Sequence, residues 1–139
     1  MKTYTLKQNE LGMLVEELLA EFCEGVVLLQ GDLAAGKTTL TREIAHAMGY
    51  TEDVTSPTFS LQHHYGEKLY HYDIYNHGLE HFLSLGMLEE LEKEGLHLVE
   101  WGDDALEKIL VAAGIPVKVV EIEKIANDIR EYKVRDAHA

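Results

Sequence analysis

At 139 residues, 46% of them hydrophobic, the chain has enough apolar mass for one packed core and too little for two ordinary domains. Twenty-five acidic residues against twelve basic give a formal net charge of −13, a field that repels a nucleic-acid backbone and argues against extensive direct contact with one. A single cysteine, Cys23, excludes an intrachain disulfide and a multi-cysteine zinc site, and no stretch approaches the roughly 18 apolar residues of a membrane span.

The opening MKTYTLKQNE holds no apolar signal segment, so the expectation is a cytoplasmic protein with no membrane partner. Lys2 to Leu6 alternates as a strand does, and Glu10 to Phe22 carries Leu11, Leu14, Val15, Leu18, Leu19 and Phe22 at helical spacing. Val26 to Gln30 (VVLLQ) is a continuous apolar run of the kind that fills a strand buried on both faces. A glycine loop, Gly31 to Gly36, follows at once, and Lys37 to Met48 reads as a helix stopped at Gly49. Thr55 to Thr58 holds Pro57 and reads as a loop. Phe59 to Tyr65 and Lys68 to Tyr75 flank Gly66 and Glu67 as a predicted hairpin. Leu79 to Glu94 is helical with a break at Gly86. Leu96 to Val99 is a second buried-type strand ending at Glu100. Asp103 is placed to cap a helix over Asp104 to Ala113, and Val117 to Ile122 and Ile129 to Val134 close the chain as strands around Asn127 and Asp128.

Gly31-Asp32-Leu33-Ala34-Ala35-Gly36-Lys37-Thr38 matches G-x-x-x-x-G-K-[ST] in full, between a buried strand and a helix, which is the context that motif requires. The glycines let successive backbone N–H groups turn onto an anion, and the helix start adds its positive end. Lys37 reaches the β and γ phosphates of a nucleotide, the Thr38 hydroxyl ligates magnesium, and Thr39 bonds the α phosphate. Such a site needs a carboxylate at the end of another strand, and Asp73 and Glu100 both qualify; spacing does not divide the roles between them. The fold expectation is therefore an α/β, P-loop NTPase-like three-layer sandwich with a largely parallel central sheet and helices on both faces. It forms a single nucleotide-binding domain over 1–139, with 135–139 as a frayed tail.

GDLAAGKTTLTR (Gly31 to Arg42), TSPTF (Thr55 to Phe59), LYHYDIY (Leu69 to Tyr75) and LVEW (Leu98 to Trp101) resemble, in this order, the signatures of the TsaE (YjeE) ATPases. The resemblance covers most of the chain from Glu10 to Trp101. It implies an ATP-hydrolysing component of the bacterial machinery for N6-threonylcarbamoyladenosine in tRNA, with TsaD and TsaB as partners and tRNA met only indirectly. It also implies ATP and Mg²⁺ as cofactors, Thr38 and Glu100 as magnesium ligands, and Lys37 and Thr39 as phosphate binders. Ser56, Pro57 and Thr58 match a first switch near the γ phosphate, and Asp73 a second switch whose carboxylate hydrolysis needs; Lys37, Asp73 and Glu100 are thus the catalytic candidates. Trp101 matches the aromatic after the acidic residue, with strand-end packing as an equal role. His71 matches too and is read as a buried histidine satisfied by hydrogen bonds. Three departures stand out: Asn76 where the second switch usually has arginine, Ala34 where glycine is common, and Asn9 and Glu10 where the family offers a threonine near the base.

The chain holds only three arginines, Arg42, Arg130 and Arg135, and Arg42 lies on the loop helix pointing away from the phosphates. Phosphoryl transfer is accelerated strongly by an arginine finger, so slow hydrolysis alone and faster turnover with a partner are expected. Two other readings remain. One is a small nucleotide or nucleoside kinase, which would want more arginines on a lid. The other is a nucleotide-dependent sensor or assembly module with negligible hydrolysis.

Overall fold

The computed structural model describes residues 2–31, 36–50, 62–66, 68–74 and 78–137. Strand β1 (Lys2–Lys7) passes through a 3-10 turn at Gln8–Glu10, where Glu10 accepts the Lys7 N–H, into helix α1 (Leu11–Glu21). Next come β2 (Gly25–Gln30), α2 (Lys37–Ala47), β3 (Gln62–Tyr65) and β4 (Leu69–Asp73). The helical stretch breaks at Gly86 as predicted, into α3 (Gly78–Ser84) and α4 (Met87–Leu91), where a φ of 75° is one that only glycine adopts readily. β5 (Leu96–Glu100), α5 (Asp104–Ala112), β6 (Val117–Lys124) and β7 (Ile129–Asp136) complete the chain. The Asp103 carboxylate accepts the Leu106 N–H at 2.9 Å, capping α5 as its position predicts.

All seven strands join one sheet in the order β1-β7-β6-β2-β5-β4-β3. Helices cover both faces because β2 alternates between them. Val27 and Leu29 pack with α1 and α2, through Leu14, Leu18, Leu40 and Ile44. Val26 and Leu28 pack with the opposite set, Phe82, Leu91, Leu106 and Leu110. Full burial of each such side chain contributes on the order of 1.5–3 kcal/mol, so the central strands anchor the fold.

Two expectations need correction. The sheet is mixed rather than largely parallel: β6-β2, β2-β5 and β5-β4 pair in parallel, whereas β1-β7, β7-β6 and β4-β3 are antiparallel. Parallel neighbours require a crossover segment, and the connections β3 to β4 and β6 to β7 are too short to be anything but hairpin turns. The tail is not frayed from 135, because Arg135 and Asp136 are the last residues of β7, and Arg135 makes two hydrogen bonds to Glu107 of α5, at 2.7 and 2.9 Å. No described helix is long and apolar enough to cross a membrane.

Candidate functional site

The parallel register of β4 and β5 sets Asp73 beside Glu100, each the last residue of its strand, at the edge where β2 also ends. In open α/β sheets the carboxyl ends of parallel strands form the ligand crevice. Into this edge runs α2, entered through Gly36 at φ 111°, a left-handed conformation that explains the second glycine of the motif. Asp32, Leu33, Ala34 and Ala35 of the loop, Ser56, Pro57 and Thr58 of the first switch, and Asn76 lie outside the described residues.

Lys37 is the first residue of α2, and its side chain is only 3% exposed. Its Nζ donates to the Gly31 carbonyl at 2.6 Å and sits 3.9 Å from the centre of the Trp101 ring. The ammonium thus lies between the Gly31 carbonyl and an aromatic face that attracts it. Trp101 itself is at φ 68°, the one non-glycine with positive φ among the described residues, and its N–H still donates to Leu29 O at 2.9 Å. That kink, costing on the order of 1–3 kcal/mol, turns the chain sharply after Glu100 and lays the ring under Lys37.

Thr38 Oγ1 lies 3.1 and 3.2 Å from the two carboxylate oxygens of Glu100, which is 3% exposed. The structure brings together the hydroxyl and the carboxylate that the family resemblance paired. A hard divalent cation selects such oxygen ligands, and Thr38 with Glu100 supplies two at one point, so the residues fit a magnesium site. His71 is fully buried and its Nε2 bonds Glu100 Oε2. The expectation that this histidine is satisfied holds for one nitrogen only: Nδ1 has no hydrogen-bond partner among the described residues. Asp73 is partly exposed at the same edge.

Thr39 points elsewhere. It lines a cavity of about 160 Å³ with Gly36, Gln8, Asn127, Asp128, Arg130 and Tyr132. Sequence reasoning missed this pocket, because its walls come from the two ends of the chain and meet only when β1 pairs with β7. On the other side of the loop a cleft of about 370 Å³ is lined by Gln30, Gly31, Trp101, Gly102, Asp103 and Asp104, with Gln30 Nε2 donating to Gly102 O at 2.9 Å. His63 and His64 stack on Tyr65 and Tyr70, respectively.

Fold and site together define the class: an α/β protein that gathers a lysine, a hydroxyl and two carboxylates where a glycine loop meets the carboxyl edge of parallel strands. A profile of the family described as threonylcarbamoyl adenosine biosynthesis protein TsaE matches residues 5–132. The chain belongs to the TsaE family. It is 42% identical over 128 residues to the tRNA threonylcarbamoyladenosine biosynthesis protein TsaE of Treponema pallidum, covering 88% of this chain and 89% of that one. With the protein of the same description from Nostoc it shares 38% over 102 residues, 67% of this chain and 60% of that one. The crystal structure of Bacillus subtilis YdiB superposes with a TM-score of 0.65 at 27% identity, covering 99% of this chain and 87% of that one.

Proposed function

We propose that the chain binds Mg-ATP at the loop from Gly31 to Thr39 and hydrolyses it as the nucleotide-driven component of the tRNA threonylcarbamoyladenosine machinery, acting on a TsaB–TsaD complex in the cytoplasm. The observation that carries this reading is the contact of Thr38 with Glu100 beside buried Lys37, at the end of a full G-x-x-x-x-G-K-T motif.

Magnesium, when bound, neutralises charge on the β and γ phosphate oxygens. Thr38 and Glu100 would hold it. Lys37 leaves the Gly31 carbonyl and the Trp101 ring to bond the phosphates, and the loop amides wrap them. Asp73, next to Glu100 on the adjacent strand, would accept the proton of the attacking water through its carboxylate. The base would lie toward the cavity of about 160 Å³ beside Thr39. Asp32, Leu33, Ala34, Ala35, Gly36, Ser56 and Thr58 complete the nucleotide contacts in this proposal.

The arginines support partner dependence. Arg130 bonds the carbonyls of its own turn, Ala126 O at 3.1 Å among them, and Arg135 is engaged by Glu107. The count of three arginines in the whole chain also weighs against a nucleotide kinase with an arginine lid. Calorimetry with ADP and ATP, with and without magnesium, tests binding, and turnover measured with and without TsaB and TsaD tests the rest. Asp73→Ala and Glu100→Ala should retain nucleotide binding in EDTA and abolish hydrolysis. Unchanged rates in both variants, or fast turnover by the chain alone with no response to partners, would refute the proposal.

A further inference from the structure

We infer that His71 is a positioning residue for the Glu100 carboxylate, holding it in the orientation in which Thr38 and Glu100 together take magnesium; this rests on the nucleotide-binding reading above. The geometry starts from the sheet. His71 and Asp73 alternate with Tyr70, Tyr72 and Ile74 along β4 and its extension, so they point to the α1–α2 face, where Glu100 also lies. His71 Nε2 and the Thr38 hydroxyl both meet the Glu100 oxygens, and a carboxylate only accepts, so His71 donates through Nε2–H. The imidazole reaches Oε2 from a fully buried position on β4, so its N–H holds that oxygen at a fixed point.

The other buried histidine of this sheet shows what a structural role looks like. His97 has both nitrogens used: Nδ1 accepts from the Tyr72 hydroxyl at 2.8 Å and Nε2 donates to Lys93 O at 2.9 Å. His71 does not follow that pattern, since its Nδ1 is buried with no partner among the described residues. Buried polar groups in native cores are paired in the great majority, and an unpaired one calls for an explanation. Here the explanation is the other end of the ring, which meets the carboxylate that the magnesium site requires. Ligating carboxylates are commonly oriented by such outer partners, whose removal costs 10- to 100-fold in metal affinity, by the general rule for such sites.

The test uses the full chain, with ADP and MgCl₂ as probes. His71→Gln carries an amide nitrogen near the Nε2 level and keeps the donor; His71→Asn stops at the Nδ1 level and loses it. Calorimetric ADP titrations across a magnesium series and in EDTA are compared for wild type, both variants, Glu100→Ala and His71→Asn/Glu100→Ala, with thermal melts in EDTA. The inference expects His71→Asn to weaken the apparent magnesium affinity about 10- to 100-fold, with ADP binding in EDTA unchanged. It expects His71→Gln to restore most of that loss, and His71→Asn to add nothing once Glu100 is removed. A His71→Asn chain whose magnesium dependence stays within about twofold of wild type overturns it, as does equal damage in the two variants or an undiminished effect on the Glu100→Ala background. Wild-type ADP binding that gains nothing from magnesium overturns it while leaving nucleotide binding intact. A wild type that binds no ADP at all overturns the functional reading and this inference with it.

Discussion

Replacing Lys37 by methionine separates the two things this side chain does, because its consequences for affinity and for stability differ in size. The ammonium is buried with the Gly31 carbonyl at 2.6 Å and the Trp101 ring at 3.9 Å. Methionine loses both, but it relieves the cost of keeping a charge out of water and packs its sulfur on the same ring. These effects offset one another, leaving a net change within about 1 kcal/mol and a Tm shift of no more than about 4 °C. Nucleotide binding has no such offset. A charge-assisted hydrogen bond to phosphate contributes about 1.5–3 kcal/mol, so the ADP dissociation constant should rise about 10- to 150-fold. Calorimetric titration and a thermal melt on the same preparation read the two quantities. Wild-type affinity in Lys37→Met would refute the placement of the phosphates, and a Tm loss above about 10 °C would refute the argument that the lysine is held in the free protein at almost no net gain.

Further outcomes follow from other contacts. Trp101 is the sole tryptophan, so withdrawal of Lys37 from its ring on adding ADP should change the protein's emission, and the change should vanish in Lys37→Met. Among the described residues nothing lies within 4 Å of a Cβ added at Gly36, so the φ of 111° is what opposes Gly36→Ala, which should cost about 1–2 kcal/mol in urea unfolding, with weakened ADP binding. Arg135→Gln strands a buried Glu107 and should cost about 2–3 kcal/mol; a loss below about 0.5 kcal/mol would restore the frayed tail. Burial pushes the His97 imidazole below its ordinary value of 6.5, and its neutral form accepts from Tyr72. The unfolded chain therefore takes up the proton first: stability is complete above about pH 6.5 and declines as the pH drops below it, and His97→Asn should flatten that part of a Tm-against-pH curve.

Local features were readable in the chain because they are enforced by neighbours in sequence. The apolar run VVLLQ can only be a strand buried on both faces, the glycine pair and Lys37 announce an anion loop, and Asp103 caps the helix that starts one residue later. Glu100 and Asp73 were recognisable as strand-end carboxylates, and His71 was visible only as a residue inside a matching motif. Spacing did not divide their roles, which only the family resemblance assigned, since which carboxylate meets Thr38 depends on the order β2-β5-β4.

The sequence by itself thus determined the family, the G-x-x-x-x-G-K-T loop and the strand-end carboxylates that could serve it, because these depend on residue type and short-range periodicity. Only the tertiary structure decided that half the strand pairings are antiparallel, that the last strand is tied to α5 through Arg135 and Glu107, and that Lys37 rests on Trp101. It alone placed His71 against Glu100, and Thr39 in a cavity with Gln8 and Arg130. These contacts join residues far apart in the chain, and only the pairing of strands and the packing of helices on them brings such residues within reach.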